Sequence, residues 1–166
     1  MTSVVVADAG PLIGLARIRR LDILHALYGS ILVPAQVLGE LRIDEQRHGS
    51  QELFDALESD WIDSVDVEID TAEPLARLLD PGETAAILLA EQHRARFLLI
   101  DEVRGRHIAH SRNIPVVGTG GVLIAAKRSG LIDRVAPILE QLGDQGYWLS
   151  KGLRQRLLEL AGESEL

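Results

Sequence analysis

The sequence predicts an α/β protein, a three-layer α/β/α sandwich built around a central parallel sheet. Short runs of consecutive apolar residues recur along the chain, as is typical of strands buried on both faces. Stretches with helical periodicity separate these runs, so strands and helices alternate. A length of 166 residues suits one domain with a sizeable core, and we expect residues 1–166 to form it.

Five strands are predicted, each from one apolar run, at residues 3–7, 31–33, 61–65, 97–100 and 115–117. Predicted helices fill the intervals, at residues 10–19, 21–28, 35–46, 51–58, 81–95, 103–112, 121–129, 134–142 and 151–160. Such an alternation favours right-handed crossovers and places ligands beyond the carboxyl ends of the strands. The amphipathic C-terminal segment 151–162 either packs on the domain or serves as a partner contact.

Composition and charge exclude several classes of protein. The chain has no cysteine, which excludes a disulfide scaffold or a thiolate metal site and fits a reducing cytosol. Its net charge of -8 comes from the middle of the chain, mostly residues 52–73, which form a solvated acidic face or a docking surface for a basic partner. This acidity argues against a general nucleic-acid coat protein. The chain start lacks the basic region of a signal peptide, and no apolar run is long enough to span a membrane, so a cytoplasmic location is expected.

Two aspartates follow predicted strands directly. Asp8 ends the first strand, and Asp101 ends the fourth, where "FLLIDE" runs from apolar residues into acids. If the two strands are parallel neighbours, their carboxylates meet at one edge of the sheet, where like charges need a cation or a proton. Oxygen ligands suit Mg²⁺ or Mn²⁺. The alternative is that each aspartate only caps the helix after it.

Two glutamates lie on helices with apolar neighbours. Glu40 has Val37 and Ile43 at helical spacing, which places it on or beside the buried face, unless the helix turns it toward Arg42 or Arg47. Glu83 follows "DP" at positions that predict a capping box, with Asp80 as the cap.

Glu83 also shares a helix face with small apolar residues, which points it toward the sheet, and capping and metal ligation can coexist. Four acids in the order strand end, helix, helix start and strand end favour two-metal hydrolysis of a phosphodiester, in which one ion activates water and the other stabilises the leaving oxygen.

Several motifs, taken together, resemble the PIN-domain family. They are "VVVADAGPLIGLARIRRLDIL", "ILVPAQVLGEL", "DPGETAAILLA", "FLLIDEVRGRHIA" and "IPVVGTGGVLIAAKRSGLI". They follow the family's order over residues 4–132, and the chain is most similar to the branch of small prokaryotic nucleic-acid-binding proteins related to VapC-type toxin ribonucleases.

The resemblance implies an α/β/α fold and a quartet of acids that binds Mg²⁺ or Mn²⁺ and carries catalysis. The quartet's members match Asp8, Glu40, Glu83 and Asp101, and Thr119 matches a supporting polar residue. Two departures weaken the match. Gly10 stands where many relatives have Ser or Thr, and Ala85 stands where many have an acid.

Basic and aromatic residues add weaker indications. Arg104, Arg106 and Lys127 are candidates for phosphate contacts, with solvated helix surface as the alternative. His107 and His110 are expected on the surface, and "GTGG" at residues 118–121 is expected to be a tight turn rather than a nucleotide loop. The aromatic residues Trp61, Tyr147 and Trp148 are expected as core or interface groups rather than as platforms on which bases stack.

The leading hypothesis is a Mg²⁺- or Mn²⁺-dependent endoribonuclease, the toxin of a toxin–antitoxin pair. Its expected partners are an RNA substrate, an antitoxin protein and a second copy in a homodimer. A catalytically degenerate PIN-like binding module that acts through RNA or protein contact is the alternative, and Gly10 and Ala85 motivate it. A phosphohydrolase or phosphoacceptor domain is less favoured, because no adjacent pair of aspartates follows the first strand.

Overall fold

A computed structural model describes residues 3–41 and 49–163, in which five parallel strands form one sheet. The strands are β1 (Val5–Ala7), β2 (Ile31–Pro34), β3 (Ile62–Val65), β4 (Phe97–Leu99) and β5 (Val116–Val117). Their order across the sheet is β3-β2-β1-β4-β5. All five predicted strands are confirmed. The residues of β1 are buried throughout, as expected of an apolar strand covered on both faces, whereas β3 at the end of the sheet exposes Asp63 and Ser64.

Nine α-helices occur in the described residues: α1 (Ala9–Arg17), α2 (Asp22–Tyr28), α3 (Ala35–Leu41), α4 (Ser50–Glu58), α5 (Pro81–His93), α6 (Val103–Ser111), α7 (Thr119–Arg128), α8 (Ala136–Asp144) and α9 (Lys151–Leu160). Each matches a predicted helix. The prediction for α3 extends to residue 46, and its last part lies outside the described residues. A short 3-10 helix, Pro74–Arg77, was not predicted.

Apolar clusters cover both faces of the sheet and give the three layers. One cluster packs α1, α2 and α7 against the sheet, with side chains such as Leu12, Leu24 and Leu123 fully buried. The other packs α5 onto the opposite face through Ile87 and Leu89. The fold class is therefore the predicted α/β/α sandwich. The C-terminal α9 packs on α7, where Leu157 lies against Gly120.

The chain changes direction across the sheet between β1 and β4. From β1 the chain adds β2 and then β3 on one side of β1. It then crosses back and adds β4 on the other side of β1. Ala7 pairs with Leu99 in this central pair of strands. Such a switch point opens a crevice at the carboxyl ends of the two strands, which is where Asp8 and Asp101 follow.

Within the described residues, none of the helices is both long and apolar enough to cross a membrane.

Candidate active site

Asp8 lies at the carboxyl end of β1 and is buried, with 5% of its surface exposed. It holds the N-cap position of α1 without a side-chain capping bond, so capping does not explain it. Its Oδ1 has no hydrogen-bond partner. Burial raises the pKa of Asp8 to about 6, although the amide of Ala9 lowers it. The charges of three further acids add to the rise in pKa, those of Glu40, Asp80 and Asp101.

Asp101, two residues beyond β4, is held by Thr119 at the start of α7. Its Oδ1 accepts a hydrogen bond from the Thr119 amide, and its Oδ2 accepts one from the Thr119 hydroxyl, both at 2.7 Å. The neighbouring Glu102 caps α6 by accepting from the amides of Arg104 and Gly105. Glu102 rather than Asp101 therefore caps α6. The carboxylate of Asp101 lies at the carboxyl ends of the strands, where it binds Thr119.

Tyr147 faces the Asp101–Thr119 pair from the segment between α8 and α9. Burial raises the pKa of its hydroxyl, the negative charge of Asp101 raises it further, and hydrogen bonding to Thr119 lowers it. The ring lies over Gly14 of α1, where an added Cβ would stand 3.4 Å from it. We expected Tyr147 as a core or interface group. Its contact with the site could not be predicted, because no nearby motif marks it and only the fold brings it to Asp101.

Glu83 stands in the first turn of α5 beside Asp80. The Asp80 carboxylate accepts from the Glu83 amide at 2.8 Å, which confirms the predicted cap. Glu83 is half-buried, and burial raises the pKa of its carboxyl to about 7. The charges of Asp80, Glu102 and Asp8 act in the same direction. Asp80 therefore has two roles, since it caps α5 and also lies near the other acids. The sequence predicted only the first role, because the capping motif alone accounts for an aspartate at this position.

Glu40 reaches the same edge of the sheet from α3, but it is exposed rather than on or beside the buried face. The expectation of a position on or beside the buried face was therefore wrong, and the alternative that the helix turns Glu40 outward applies, because Val37 and Leu41 fill that face. Its Oε1 accepts from the Gly82 amide at 3.1 Å, at the start of α5. Partial loss of hydration beside α5 raises the pKa of the Glu40 carboxyl, the charge of Asp80 adds to the rise, and the hydrogen bond from the Gly82 amide lowers it.

Gly82 leaves space for this contact, since an added Cβ would overlap the Glu40 carboxylate. The alternative partners predicted for Glu40, Arg42 and Arg47, lie outside the described residues.

The four predicted acids and Asp80 lie near one another at the carboxyl ends of the strands, since the charges of Glu40, Asp80 and Asp101 raise the pKa of Asp8 and the charges of Asp80 and Asp8 raise that of Glu83. Across residues 3–41 and 49–163, no group of three or more histidine, aspartate or glutamate side chains is arranged to hold a metal ion as it stands. The donor set still fits a hard cation, because it consists of carboxylate oxygens. The buried, unpartnered Oδ1 of Asp8 is an oxygen that such a cation would satisfy.

Of the three cations predicted to contact phosphate, Arg106 lies near Asp101, at the carboxyl ends of the strands. A Cβ added to Gly118 would overlap Nη1 of Arg106 and stand 3.1 Å from Oδ1 of Asp101. Arg104 is exposed on the same helix. Lys127 is engaged elsewhere, since its Nζ donates to the Ala161 carbonyl at 2.6 Å and to Glu163 at 3.0 Å.

Gly10 and Ala85 are the two departures from the family pattern. A Cβ added to Gly10 would stand 3.2 Å from Oδ2 of Asp101, so α1 approaches Asp101 closely because residue 10 has no side chain. Ala85 is completely buried within α5. An acid at position 85 would be buried and would need a partner there. Glu83, two residues earlier, already lies near the other acids.

Other motifs contribute less to the site. His107 and His110 are exposed, as predicted. The prediction of a tight turn at "GTGG" was wrong, because Gly118 is extended and residues 119–121 form the first turn of α7, which begins two residues earlier than predicted. Trp61 is buried and stacks on His25, with ring centroids 4.9 Å apart.

The fold and the acids define an α/β domain with a parallel sheet and carboxylates at its switch point. The family model that matches the chain is that of the PIN domain, and the match covers residues 4–163. The chain therefore belongs to the PIN-domain family, whose members are generally nucleases and typically use divalent metals. No curated protein matches the chain.

Proposed function

We propose that this chain is a Mg²⁺- or Mn²⁺-dependent endoribonuclease whose metal ligands are Asp8, Glu40, Glu83 and Asp101. The observation that carries the proposal is the buried carboxylate of Asp8, which has an unpartnered oxygen and other acids around it. A protein retains such an uncompensated cluster at a cost in stability unless a cation neutralises it. Membership of a nuclease-type family supports the same conclusion.

The chain's own groups would hold and orient the reactants. Thr119 fixes both oxygens of Asp101, and the Gly82 amide fixes Glu40. Arg106 stands beside Asp101, where its guanidinium would contact a phosphate of the substrate. A bound divalent ion supplies activation of water and neutralises charge on the phosphate. In the hydrolysis, water forms a bond to phosphorus, the bond to the leaving oxygen breaks, and that oxygen takes a proton.

The biological setting belongs to the same proposal. From the family resemblance and the composition we also infer an RNA substrate, a role as a toxin with an antitoxin partner, a homodimer and a cytoplasmic location. Arg104 and Arg106 would contribute phosphate contacts. Lys127 has no part in this proposal, because Glu163 and the Ala161 carbonyl engage its ammonium group.

The test is cleavage of a mixed pool of structured and single-stranded RNA in Mg²⁺ or Mn²⁺, with EDTA as the control. Asp101→Asn and Asp8→Asn should abolish cleavage while the circular dichroism spectrum stays that of the wild type. Asp63→Asn, on the exposed side of β3, is the matched control and should cleave normally. Cleavage retained in both site variants would contradict the proposal.

A binding module with an inactive site is the second candidate. The absence of a side chain at Gly10 favours it, because the family resemblance implies a hydroxyl at this position and the chain has none. Calorimetric titration with Mn²⁺ distinguishes the two candidates. Heat of binding that disappears in Asp8→Asn supports the nuclease, and no binding at millimolar Mn²⁺ supports the binding module.

A further inference from the structure

We propose that Trp148 and the cavity beside it form a subsite for an unpaired nucleobase of single-stranded RNA, adjoining the acidic site. The inference rests on the proposed ribonuclease function and specifies the form of its substrate. It differs from the sequence-based expectation, in which Trp148 is a core or interface group.

Trp148 is the most exposed large apolar side chain among the described residues, at 82%, whereas Trp61 is 9% exposed. A single exposed apolar side chain is common on a protein surface, but Trp148 borders a cavity that Tyr147 and Leu149 also line, so the exposed ring belongs to a larger apolar surface. A flat exposed ring is suited to stack on a base, which is a contact that tolerates any base sequence.

Tyr147 connects Trp148 to the acidic site. The Tyr147 hydroxyl faces Asp101 and Thr119, and its ring lies over Gly14, so the backbone that carries Trp148 is fixed. Consecutive Cα atoms are about 3.8 Å apart. Tyr147 lines the cavity beside Trp148 and also contacts Asp101, so a base stacked on Trp148 would belong to the same strand as a phosphate at the acidic site.

The cavity beside Trp148 has a volume of about 420 Å³, which is within the range of small-ligand sites. Tyr147 and Leu149 line it together with Trp148. Its α9 side carries Lys151 and Arg154, and its α8 side carries Glu140 and Asp144. Cations on one side suit phosphates, and carboxylates on the other accept hydrogen bonds from the amino groups of bases.

The local charge also fits a polyanion. Residues 145–158 contain three basic residues and no acidic residue, in a chain whose net charge is -8. This segment is therefore positive, although Asp144 and Glu159 flank it. Of its three cations, Lys151 and Arg154 line the cavity, where they would contact the phosphates of a bound strand.

The test measures binding apart from cleavage. Trp61→Phe leaves Trp148 as the only tryptophan, so its fluorescence reports this surface alone. We expect a mixed-sequence single-stranded oligoribonucleotide, added in EDTA, to quench this emission. A fully paired duplex should quench it much less. In the otherwise native chain, Trp148→Ala should weaken binding of the single strand by about tenfold, and Trp148→Phe by less.

Phe54→Ala removes an exposed aromatic side chain from α4 and is the matched control, with binding expected at the wild-type level. Lys151→Ala together with Arg154→Ala should reduce the salt dependence of binding. An absence of quenching, or wild-type affinity in Trp148→Ala, would overturn the inference even if the protein cleaves RNA. Emission that changes with protein concentration before RNA is added would show that a second copy covers Trp148, and this would also overturn it. Quenching without cleavage in any metal would retain the subsite and reject the nuclease.

Discussion

Thr119 donates two hydrogen bonds to Asp101, one from its amide to Oδ1 and one from its hydroxyl to Oδ2, each 2.7 Å long. The two residues follow neighbouring strands, β4 and β5, and nothing local in the sequence pairs them. A carboxylate held at both oxygens keeps a fixed orientation, and a metal site requires its ligands to be oriented in this way.

Thr119→Val should remove the hydrogen bond from the hydroxyl to Asp101 while keeping the hydrogen bond from the backbone amide and the shape of the side chain. Loss of a hydrogen bond to a charged group costs about 1.5–3 kcal/mol. We expect cleavage to slow by roughly tenfold or more, which corresponds to about 1.4 kcal/mol. Thr119→Ser keeps the hydroxyl and is the control that should retain most activity. Equal rates for the valine and wild-type proteins would show that the hydroxyl has no part in catalysis.

Asp8→Asn should change how the stability of the metal-free protein depends on pH. Native Asp8 has a pKa of about 6 against an ordinary value of 3.8. The folded state therefore binds this proton more tightly, so the contribution of Asp8 to stability is full below pH 3.8 and is lost as pH rises through about 6. A difference of about 2 in pKa corresponds to about 3 kcal/mol.

Urea unfolding in EDTA between about pH 4 and pH 8 measures this effect. Asp8→Asn removes the buried charge, so its curve should be flatter and its stability at neutral pH should exceed that of the wild type. Asp63→Asn is the control and should keep the slope of the wild-type curve. A wild-type protein that gains stability over this range would contradict the assignment of Asp8 as a buried, uncompensated acid.

Gly82→Ala should displace Glu40 without unfolding the protein. The added Cβ would overlap the Glu40 carboxylate, which is the mobile end of a flexible side chain and can move away. Alanine is favoured over glycine in helices by about 1 kcal/mol, which offsets the loss of the hydrogen bond between the Gly82 amide and Glu40, so stability should change little. Binding of Mn²⁺ should weaken, because Glu40 leaves its place beside α5.

The double-mutant cycle with Glu40→Ala checks this cause. If displacement of Glu40 is the whole effect, Gly82→Ala should change metal binding no further once residue 40 is alanine. Gly143→Ala, in α8 with open space around it, is the control for helix propensity and should stabilise the protein by about 0.5–1 kcal/mol. Unchanged metal affinity in Gly82→Ala would remove Glu40 from the ligand set.

Glu163→Gln should loosen the attachment of the C-terminal segment. The Glu163 carboxylate accepts from the amides of Val135 and Ala136 at 2.7 and 3.0 Å, and from Lys127 at 3.0 Å. Burial raises the pKa of Glu163, but these donors lower it more, so the net pKa is below its usual value.

Stability from Glu163 is therefore present above the ordinary glutamate pKa and is lost as pH falls through the lower native value. We expect a loss of about 1–2 kcal/mol in Glu163→Gln near neutral pH, measured by urea unfolding. Glu159→Gln, exposed on α9, should have little effect. Equal stability of the Glu163→Gln and wild-type proteins would contradict the role of this carboxylate.

The sequence predicted the strands and most helix limits because these depend on neighbouring residues. Apolar runs such as residues 97–100 need cover on both faces, and Asp80 with Pro81 begins a helix through local geometry. The strand-end positions of Asp8 and Asp101 followed from the same local pattern. The 3-10 helix at Pro74–Arg77 was not predicted because one turn is too short to show a periodicity.

The tertiary structure alone decided which groups meet and which remain in water. It placed the Tyr147 hydroxyl beside Asp101 and the Glu40 carboxylate against the Gly82 amide. It also placed Asp80 near the other acids. It also buried Trp61 and exposed Trp148, two residues of the same type. Contacts between distant segments depend on how the helices pack on the sheet, and a local pattern carries no information about that packing. The sequence by itself therefore determined the elements and the candidate ligands, and the packing determined the site that they form.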